Sequence, residues 1–408
     1  MVDADDDAEA KRLAVFREWF LSYRREAAPT KTAEENRAGP DWLFPDDVLL
    51  VRPNLDGEPR AAVGGTVRLG IVSMVRQPEL LRPDDIESYH RSVLTWLAHH
   101  AALGFERFYL QVEDSPSLCH LLTSTEPWNE RVVVSAAAAA PHDYRDLVTR
   151  QASVVASAIV PAREAGITFL LHIDDDEILY CSGGPDELRA ELAVAPATAA
   201  DVHVSNIEAL PFSGDSRSDI FRGVHVFRHK PRQFAAYTNG KSFGRLAVAG
   251  LRPKGAHRFG GSDAPSVELP PSVACVLHFE ASTFELWRAK FSALGRRHAS
   301  AAGHGGPEDG SNSEGPGSAR AAATSSAPRI PFAYYRESMA AARALDAAQA
   351  EGPAALEAAM DAARQLWARW KQAPPELPGP PAARAAPLVL REHGVTLLKP
   401  LGWTCDSE

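Results

Sequence analysis

Apolar residues follow two rhythms along the first half of this chain. Leu69–Val75, Arg107–Val112, Arg131–Ser135 and Ile167–Ile173 are short runs of strand character. In the last of them β-branched and aromatic residues fill both alternation phases, which marks a strand covered on both faces, as in a parallel α/β sheet. Between these runs the spacing becomes helical. Ile86, Tyr89, Val93, Trp96, Leu97 and His100 share one face of a helix opened by Asp84, with Glu87 three residues on, and closed by Gly104. A second helix, starting at Asp143 or Tyr144, carries Leu147, Gln151, Val154, Val155, Ala158 and Ile159, and Gly166 separates it from the fourth run. The order strand–helix–strand–strand–helix–strand predicts an α/β sheet with largely parallel strands.

Beyond the fourth run the elements shorten. A helix is expected over Pro185–Leu192, and strands over Asp201–Ile207, Phe221–Arg228, Phe234–Tyr237 and Val273–Phe279. Phe284, Trp287, Arg288 and Phe291 resume helical spacing. These elements delimit a core of residues 65–297. Residues 1–64 form an extension with a helix over Lys11–Arg25 and a possible strand at Val48–Val51. Residues 298–328, rich in Gly, Ser, Ala and His, are expected to be a disordered linker or long loop. Residues 329–408 form an Ala-rich extension: two helices over 332–372 broken at Gly352-Pro353, a Pro-rich spacer from Pro374 to Pro387, and a short segment at Val395–Leu398.

Composition removes several function classes. A net charge of −10 argues against nucleic acid as a partner, because phosphate backbones need a basic surface. The four cysteines have no metal-ligand spacing and suggest no disulfide framework. No apolar run reaches transmembrane length and no signal-peptide core is present, so a cytoplasmic location is expected.

The fourth run ends in Asp174-Asp175-Asp176-Glu177. Asp174 and Asp176 form a D-x-D at the carboxyl end of a predicted strand, where open α/β sheets bind ligands. Two carboxylates there can hold a hard divalent cation, which can clamp a diphosphate. The plain alternative is an acidic turn closing a strand. Polar clusters follow at Asn206-Ile207-Glu208, at Tyr237–Ser242 with Arg245, at Gly255–Phe259, and at His278. Asn239-Gly240 is also a hairpin-turn signal, and His278 also reads as an ordinary hydrogen-bonded strand residue. Together the clusters offer metal ligands (Asp176, His278), basic groups for phosphate (Lys241, Arg245, His257, Arg258) and a carboxylate base (Glu208), the parts of metal-assisted transfer from a diphosphate donor.

The segments WLAHHAALGFERFYLQVEDS, TFLLHIDDDEILY, FAAYTNGKSFGRL, GAHRF and VLHFEASTFELWRAKF occur in that order. Over roughly residues 66–295 they resemble family-2-type glycosyltransferase domains, whose core reads "WL.hH..lGv..fyl.dn.S", "fiD.DEfl", "GKS..R" and a histidine closing the last core strand. The resemblance implies a GT-A-like, Rossmann-type mixed sheet flanked by helices, a D-x-D metal site for Mn²⁺ or Mg²⁺, a nucleoside-diphospho-sugar donor and a hydroxyl acceptor. Carried over by motif, Asp174 and Asp176 match the D-x-D and Glu177 the acid after it. Lys241, Ser242 and Arg245 match GKS..R, and His278 the terminal histidine. Asp175 with Ile178, and Glu113-Asp114-Ser115, depart from the family pattern. The expected metal ligands are Asp174, Asp176 and His278, and the expected donor-binding residues are Asp174, Lys241, Ser242, Arg245 and His257. Glu208 is the first candidate base and Asp215 or Asp219 the second. Two rival readings remain: a catalytically inactive nucleotide-sugar-binding module on the same fold, and phosphoryl transfer of the haloacid-dehalogenase type, which also places D-x-D after a strand.

Overall fold

The computed structural model describes residues 66–78, 81, 83–137, 144–181, 183–211, 220–221, 225–228, 234–261, 264–271, 273–302, 332–373 and 395–396. In chain order the elements are β1 (Leu69–Arg76), α1 (Pro83–Ala102), β2 (Phe105–Glu113), α2 (Pro116–Ser124), α3 (Trp128–Arg131), β3 (Val132–Ala137), α4 (Tyr144–Glu164), β4 (Phe169–His172), β5 (Glu177–Cys181) and α5 (Gly184–Val194). Then come β6 (Asp201–Val204), β7 (Asn206–Pro211), β8 (His225–Arg228), β9 (Lys241–Arg245), β10 (Arg252–Lys254), β11 (Arg258–Gly260), β12 (Ser266–Leu269) and β13 (Ala274–His278). The chain continues through α6 (Phe284–Ala302), α7 (Ala333–Glu351), α8 (Pro353–Lys371) and β14 (Val395–Thr396).

The four strands expected from the first half of the chain lie side by side. A seven-stranded sheet runs β12-β6-β9-β4-β1-β2-β3. All its neighbours pair in parallel except β9, which is antiparallel to both β4 and β6. This is the mixed α/β architecture, a mostly parallel central sheet flanked by helices. Alternation along β1 explains the layering. Leu69, Ile71 and Val75 join the core under α1, with Val93, Trp96 and Leu97. Val72 and Met74 join the opposite core under α4, with Val154, Val155, Ala158 and Ile159. Gly104, at φ +89°, ends α1 in the left-handed region that glycine enters without a Cβ penalty.

A second, five-stranded sheet runs β14-β8-β7-β13-β5. α6, α7 and α8 pack on one another through Phe284, Trp287, Phe291, Tyr334, Leu345 and Trp367, and α8 is tied to β7 where the Ala373 amide donates to the Pro211 carbonyl at 2.8 Å. The break between α7 and α8 falls at Gly352-Pro353, as the sequence indicates.

Several expectations are corrected. Asp201–Ile207 is two strands in two sheets, broken at Ser205. Phe234–Tyr237 is not a strand. Asn239-Gly240 joins no hairpin, because β8 and β9 belong to different sheets. β5 was hidden by its charged first residue. Residues 298–302 continue α6, and the rest of the expected linker lies outside the described residues. So do the helix at Lys11–Arg25, the strand at Val48–Val51 and the spacer Pro374–Pro387.

α1 is bound to the middle of β5 through histidines. His99 donates from Nε2 to the Leu179 carbonyl (2.7 Å). His100 accepts from the Leu179 amide at Nε2 (3.1 Å), so its proton sits on Nδ1, which donates to the Trp96 carbonyl (2.8 Å). Burial, with His99 adding to it, keeps His100 neutral well below the usual imidazole range. The unfolded chain takes up this proton near pH 6.5 and the native state does not, so stability is present above that pH and is lost as pH falls. The urea midpoint is expected to drop between pH 7 and pH 5, with each excluded proton costing about 1.4 kcal/mol per pH unit. His100→Gln should shrink that drop, as measured by urea titrations at the two pH values.

Candidate active site

The chain crosses repeatedly between the two sheets. The turn Asp174–Asp176 leads from β4 into β5, and Ser205 alone separates β6 from β7. The acidic turn therefore sits at the carboxyl edge of β4, where the two sheets meet. α1 grips its backbone: Trp96 Nε1 donates to the carbonyls of Asp174 (3.1 Å) and Glu177 (2.7 Å). Tyr89 donates its hydroxyl to Asp175 Oδ2 at 2.5 Å.

An ammonium lies at the centre. Lys241, fully buried, places Nζ 2.6 Å from Asp174 Oδ2 and 3.4 Å from Glu177 Oε2. Gln151 Nε2, from α4, donates to Asp174 Oδ1 at 2.9 Å, and the Asp174 amide donates to Glu177 Oε2 at 2.9 Å. Burial opposes ionisation of Asp174, but Lys241 and His172 outweigh it and hold this carboxyl below the usual range. One ammonium neutralises one of its two carboxylates, and burial pushes Glu177 well above the usual range. Burial and the neighbouring Asp176 raise Asp175 to about 7, although Tyr89 pulls the other way.

Beside this cluster Asp176 meets His278. Asp176 Oδ1 and His278 Nε2 are 3.9 Å apart, and the Phe279 amide donates to the Asp176 carbonyl at 2.7 Å. The Asp176 side chain is 29% exposed, so the pair is reachable from solvent. The separation exceeds a hydrogen bond, yet two donors of one cation at about 2.1 Å can stand this far apart. Among the described residues no group of three or more His, Cys, Asp or Glu is arranged to hold a metal ion. Asp174 is not a free third ligand, because Lys241 and Gln151 occupy its two oxygens. Asp176 and His278 thus fit a divalent cation that takes its remaining ligands from substrate and water, a common arrangement at phosphate sites.

The other expected residues divide. Tyr237 lies tilted against both His257 (4.7 Å) and His278 (4.8 Å), which puts His257 at the site. But His257 donates from Nδ1 to the Gly240 carbonyl (3.0 Å), and burial and Lys241 lower it to about 4. It is a neutral ring whose Nε2 offers a lone pair, not a cationic phosphate donor. Ser242 is buried, with Oγ 3.2 Å from His203 Nδ1. Arg245 is at the wrong edge: it pairs in register with Phe169, five residues before Asp174, roughly 16 Å away along the strand. There it stacks on Phe169 at 4.4 Å and donates to the Ala195 carbonyl at 2.9 Å. Arg258 is held by buried Asp201 at 2.7 Å. Glu208 does not suit a base either. It is fully buried, and its oxygens accept from the amides of Ala235 (2.9 Å) and Ala236 (2.7 Å), with Arg228 Nη1 at 3.4 Å. Its work is to pin the segment that carries Tyr237. Asp215 and Asp219 lie outside the described residues.

Sequence reasoning missed the roles of Tyr89, Trp96, Gln151, His172 and Tyr237. The available signal was polarity inside apolar stripes: Gln151 on α4, and Tyr89, Trp96 and His100 on α1.

The fold and site define an α/β protein with a carboxylate–imidazole pair at the carboxyl edge of its sheet, beside a buried ion cluster. No family model matches the chain. It is similar to two glycosyltransferase-like proteins of Arabidopsis thaliana. One is 30% identical over 242 residues, 47% of this chain and 51% of the relative. The other is 27% identical over 229 residues, 46% of this chain and 44% of the relative. The chain therefore spans about half the length of the curated relatives it matches. Among solved structures, a mannosyltransferase of Pyrobaculum calidifontis in complex with GDP-Man and Mn²⁺ aligns over 95% of this chain and 98% of its own. Its identity is 13% and its TM-score 0.29, a level at which residues are not matched one to one.

Lys241→Met strands Asp174 without its 2.6 Å partner. Breaking a buried pair from one side costs about 3–5 kcal/mol. Urea unfolding at pH 7 should show a loss of that order, and adding Asp174→Asn should recover a large part of it.

Proposed function

We propose that this chain transfers a glycosyl group from a nucleoside-diphospho-sugar to a hydroxyl acceptor, with a divalent cation at Asp176 and His278. The observation that carries the reading is the convergence of Asp176, in the β4–β5 turn, and His278, at the end of β13, 3.9 Å apart and about a hundred positions distant in the chain. The glycosyltransferase-like relatives support the class of reaction.

The corrected basic residues strengthen the role of a cation. Lys241 is neutralised by Asp174, Arg258 by Asp201, His257 is neutral, and Arg245 is at the far edge. A diphosphate bound at the acidic turn draws no charge from these four groups. When bound, Mn²⁺ or Mg²⁺ would supply that charge and stabilise the leaving diphosphate as the anomeric carbon–oxygen bond breaks. Asp176 and His278 would hold the cation, while Lys241 keeps Asp174, and so the turn, in place. Tyr237 lies against His278 and His257. As the acceptor oxygen bonds to the anomeric carbon, its proton must pass to a base. With Glu208 engaged, the second candidates, Asp215 and Asp219, are the carboxylates to test.

A panel of nucleotide sugars is tested for binding to, and turnover by, the purified chain with Mn²⁺. Asp176→Asn and His278→Ala should each weaken Mn²⁺-dependent donor binding by about tenfold or more, while thermal unfolding shows the fold retained. Asp215→Asn should lower kcat with little change in donor affinity. Absence of binding to every donor in the panel, with Mn²⁺ present, would end the glycosyl-transfer reading.

A further inference from the structure

The segment 234–240, which leads into β9, is neither strand nor helix, yet Ala235, Ala236 and Gly240 in it are buried. Buried backbone amides and carbonyls need partners, and outside regular structure these come from side chains or water. Two side chains of β7 supply them. Glu208 accepts from the amides of Ala235 (2.9 Å) and Ala236 (2.7 Å). Asn206 is two positions earlier, and so on the same face of β7. It uses both ends of its carboxamide: Nδ2 donates to the Tyr237 carbonyl (2.9 Å), and Oδ1 accepts from the Gly240 amide (3.0 Å). A flipped carboxamide would set oxygen against carbonyl and NH₂ against N–H, so the two bonds together fix its orientation.

Three contacts of the site begin on the piece of backbone that Asn206 spans. The Tyr237 ring lies 4.8 Å from that of His278 and 4.7 Å from that of His257. The Gly240 carbonyl accepts from His257 Nδ1 (3.0 Å). Lys241, the next residue, reaches Asp174 Oδ2 at 2.6 Å. Between the two anchors Thr238 and Asn239 are exposed, so burial does not hold the backbone there and the carboxamide does. Asn206 itself is 5% exposed and directly follows Ser205, where the chain leaves the seven-stranded sheet for the five-stranded one.

We propose that Asn206 is a positioning residue of the active site: its carboxamide fixes Tyr237 and Gly240 relative to each other, and so sets the Tyr237 ring against His278 and the Gly240 carbonyl against His257. The second contact settles the tautomer of His257. With Nδ1 donating to a backbone carbonyl, the neutral ring is left with Nε2 as its acceptor. Asn206→Leu keeps the size of the side chain and removes both bonds, which frees the Tyr237 carbonyl and the Gly240 amide to turn toward water. The effect on donor use rests on the glycosyl-transfer reading; the clamp does not.

The clamp is tested by NMR on the full-length chain near pH 7, with the His257 ring assigned through His257→Gln. In the wild type, ring-¹⁵N shifts should show Nδ1 protonated and Nε2 bare, and the Gly240 amide should be protected from hydrogen exchange. In Asn206→Leu the two nitrogens should move toward a common, tautomer-averaged shift, and the Gly240 amide should exchange about tenfold faster or more. Asn206→Ala makes the same test should the leucine variant fail to fold. A wild-type ring protonated at Nε2, an unprotected wild-type Gly240 amide, or no change in the folded variant overturns the proposal. Leu345→Ala, which removes packing between the C-terminal helices, is the control for general loss of stability. Should it move the His257 ring as far as Asn206→Leu does, the positioning role is overturned. The second arm is turnover of a panel of UDP- and GDP-sugars with Mn²⁺. Asn206→Leu should lower kcat/KM by about tenfold to a hundredfold, and Leu345→Ala should not. Unchanged turnover with a released Gly240 amide overturns the positioning role. A wild type that turns over no donor removes the glycosyl-transfer reading, while the ring and amide measurements still decide the clamp.

Discussion

A buried ammonium is costly unless carboxylates surround it, and that constraint organises this protein around Lys241. Lys241 stands at the start of β9, the antiparallel strand between β4 and β6. Gly240 before it has φ +57°, and a Cβ there would stand 2.1 Å from the Val204 carbonyl oxygen. The approach of β9 to β6 is thus possible only for glycine, and it delivers Lys241 to Asp174 and Glu177. The acidic turn can keep three aspartates and a glutamate together because this ammonium, the Gln151 amide, the Tyr89 hydroxyl and the Trp96 indole each take up part of its charge or its backbone.

The same arrangement divides labour within the D-x-D. Asp174, the first carboxylate, is consumed in holding the turn, whereas Asp176 is partly exposed and faces His278. The division follows from the crossing between sheets. β4 ends inside the seven-stranded sheet, so Asp174 remains among its neighbours, while Asp176 is already at the threshold of β5. There Glu177 lies opposite His278 in the antiparallel register. A site at the junction of two sheets draws side chains from both.

Glu208 and Arg245 show how far motif matching carries. Both occupy the positions expected of them in the chain, and neither does the expected work. Glu208 points into a cap of backbone amides and holds residues 234–237, and Arg245 closes carbonyls beyond α5 at the opposite edge of the sheet. A motif records which residues are needed; alternation along a strand and the direction of that strand determine what each one touches.

From the sequence alone, the four parallel strands, their order of appearance, the two covering helices, the break between α7 and α8 and the acidic turn at a strand end were legible. Each is written in local periodicity or in a single glycine or proline, and needs no distant partner. The strand direction of β9, the split of residues 201–211 between two sheets, the pairing of Lys241 with Asp174, and the meeting of Asp176 and His278 were decided only by tertiary structure. These depend on contacts across 67 positions for Lys241 and Asp174, and about a hundred for Asp176 and His278. No window of sequence contains both partners of such a contact. The burial that makes their charges matter exists only once the two sheets and the C-terminal helices have closed around them.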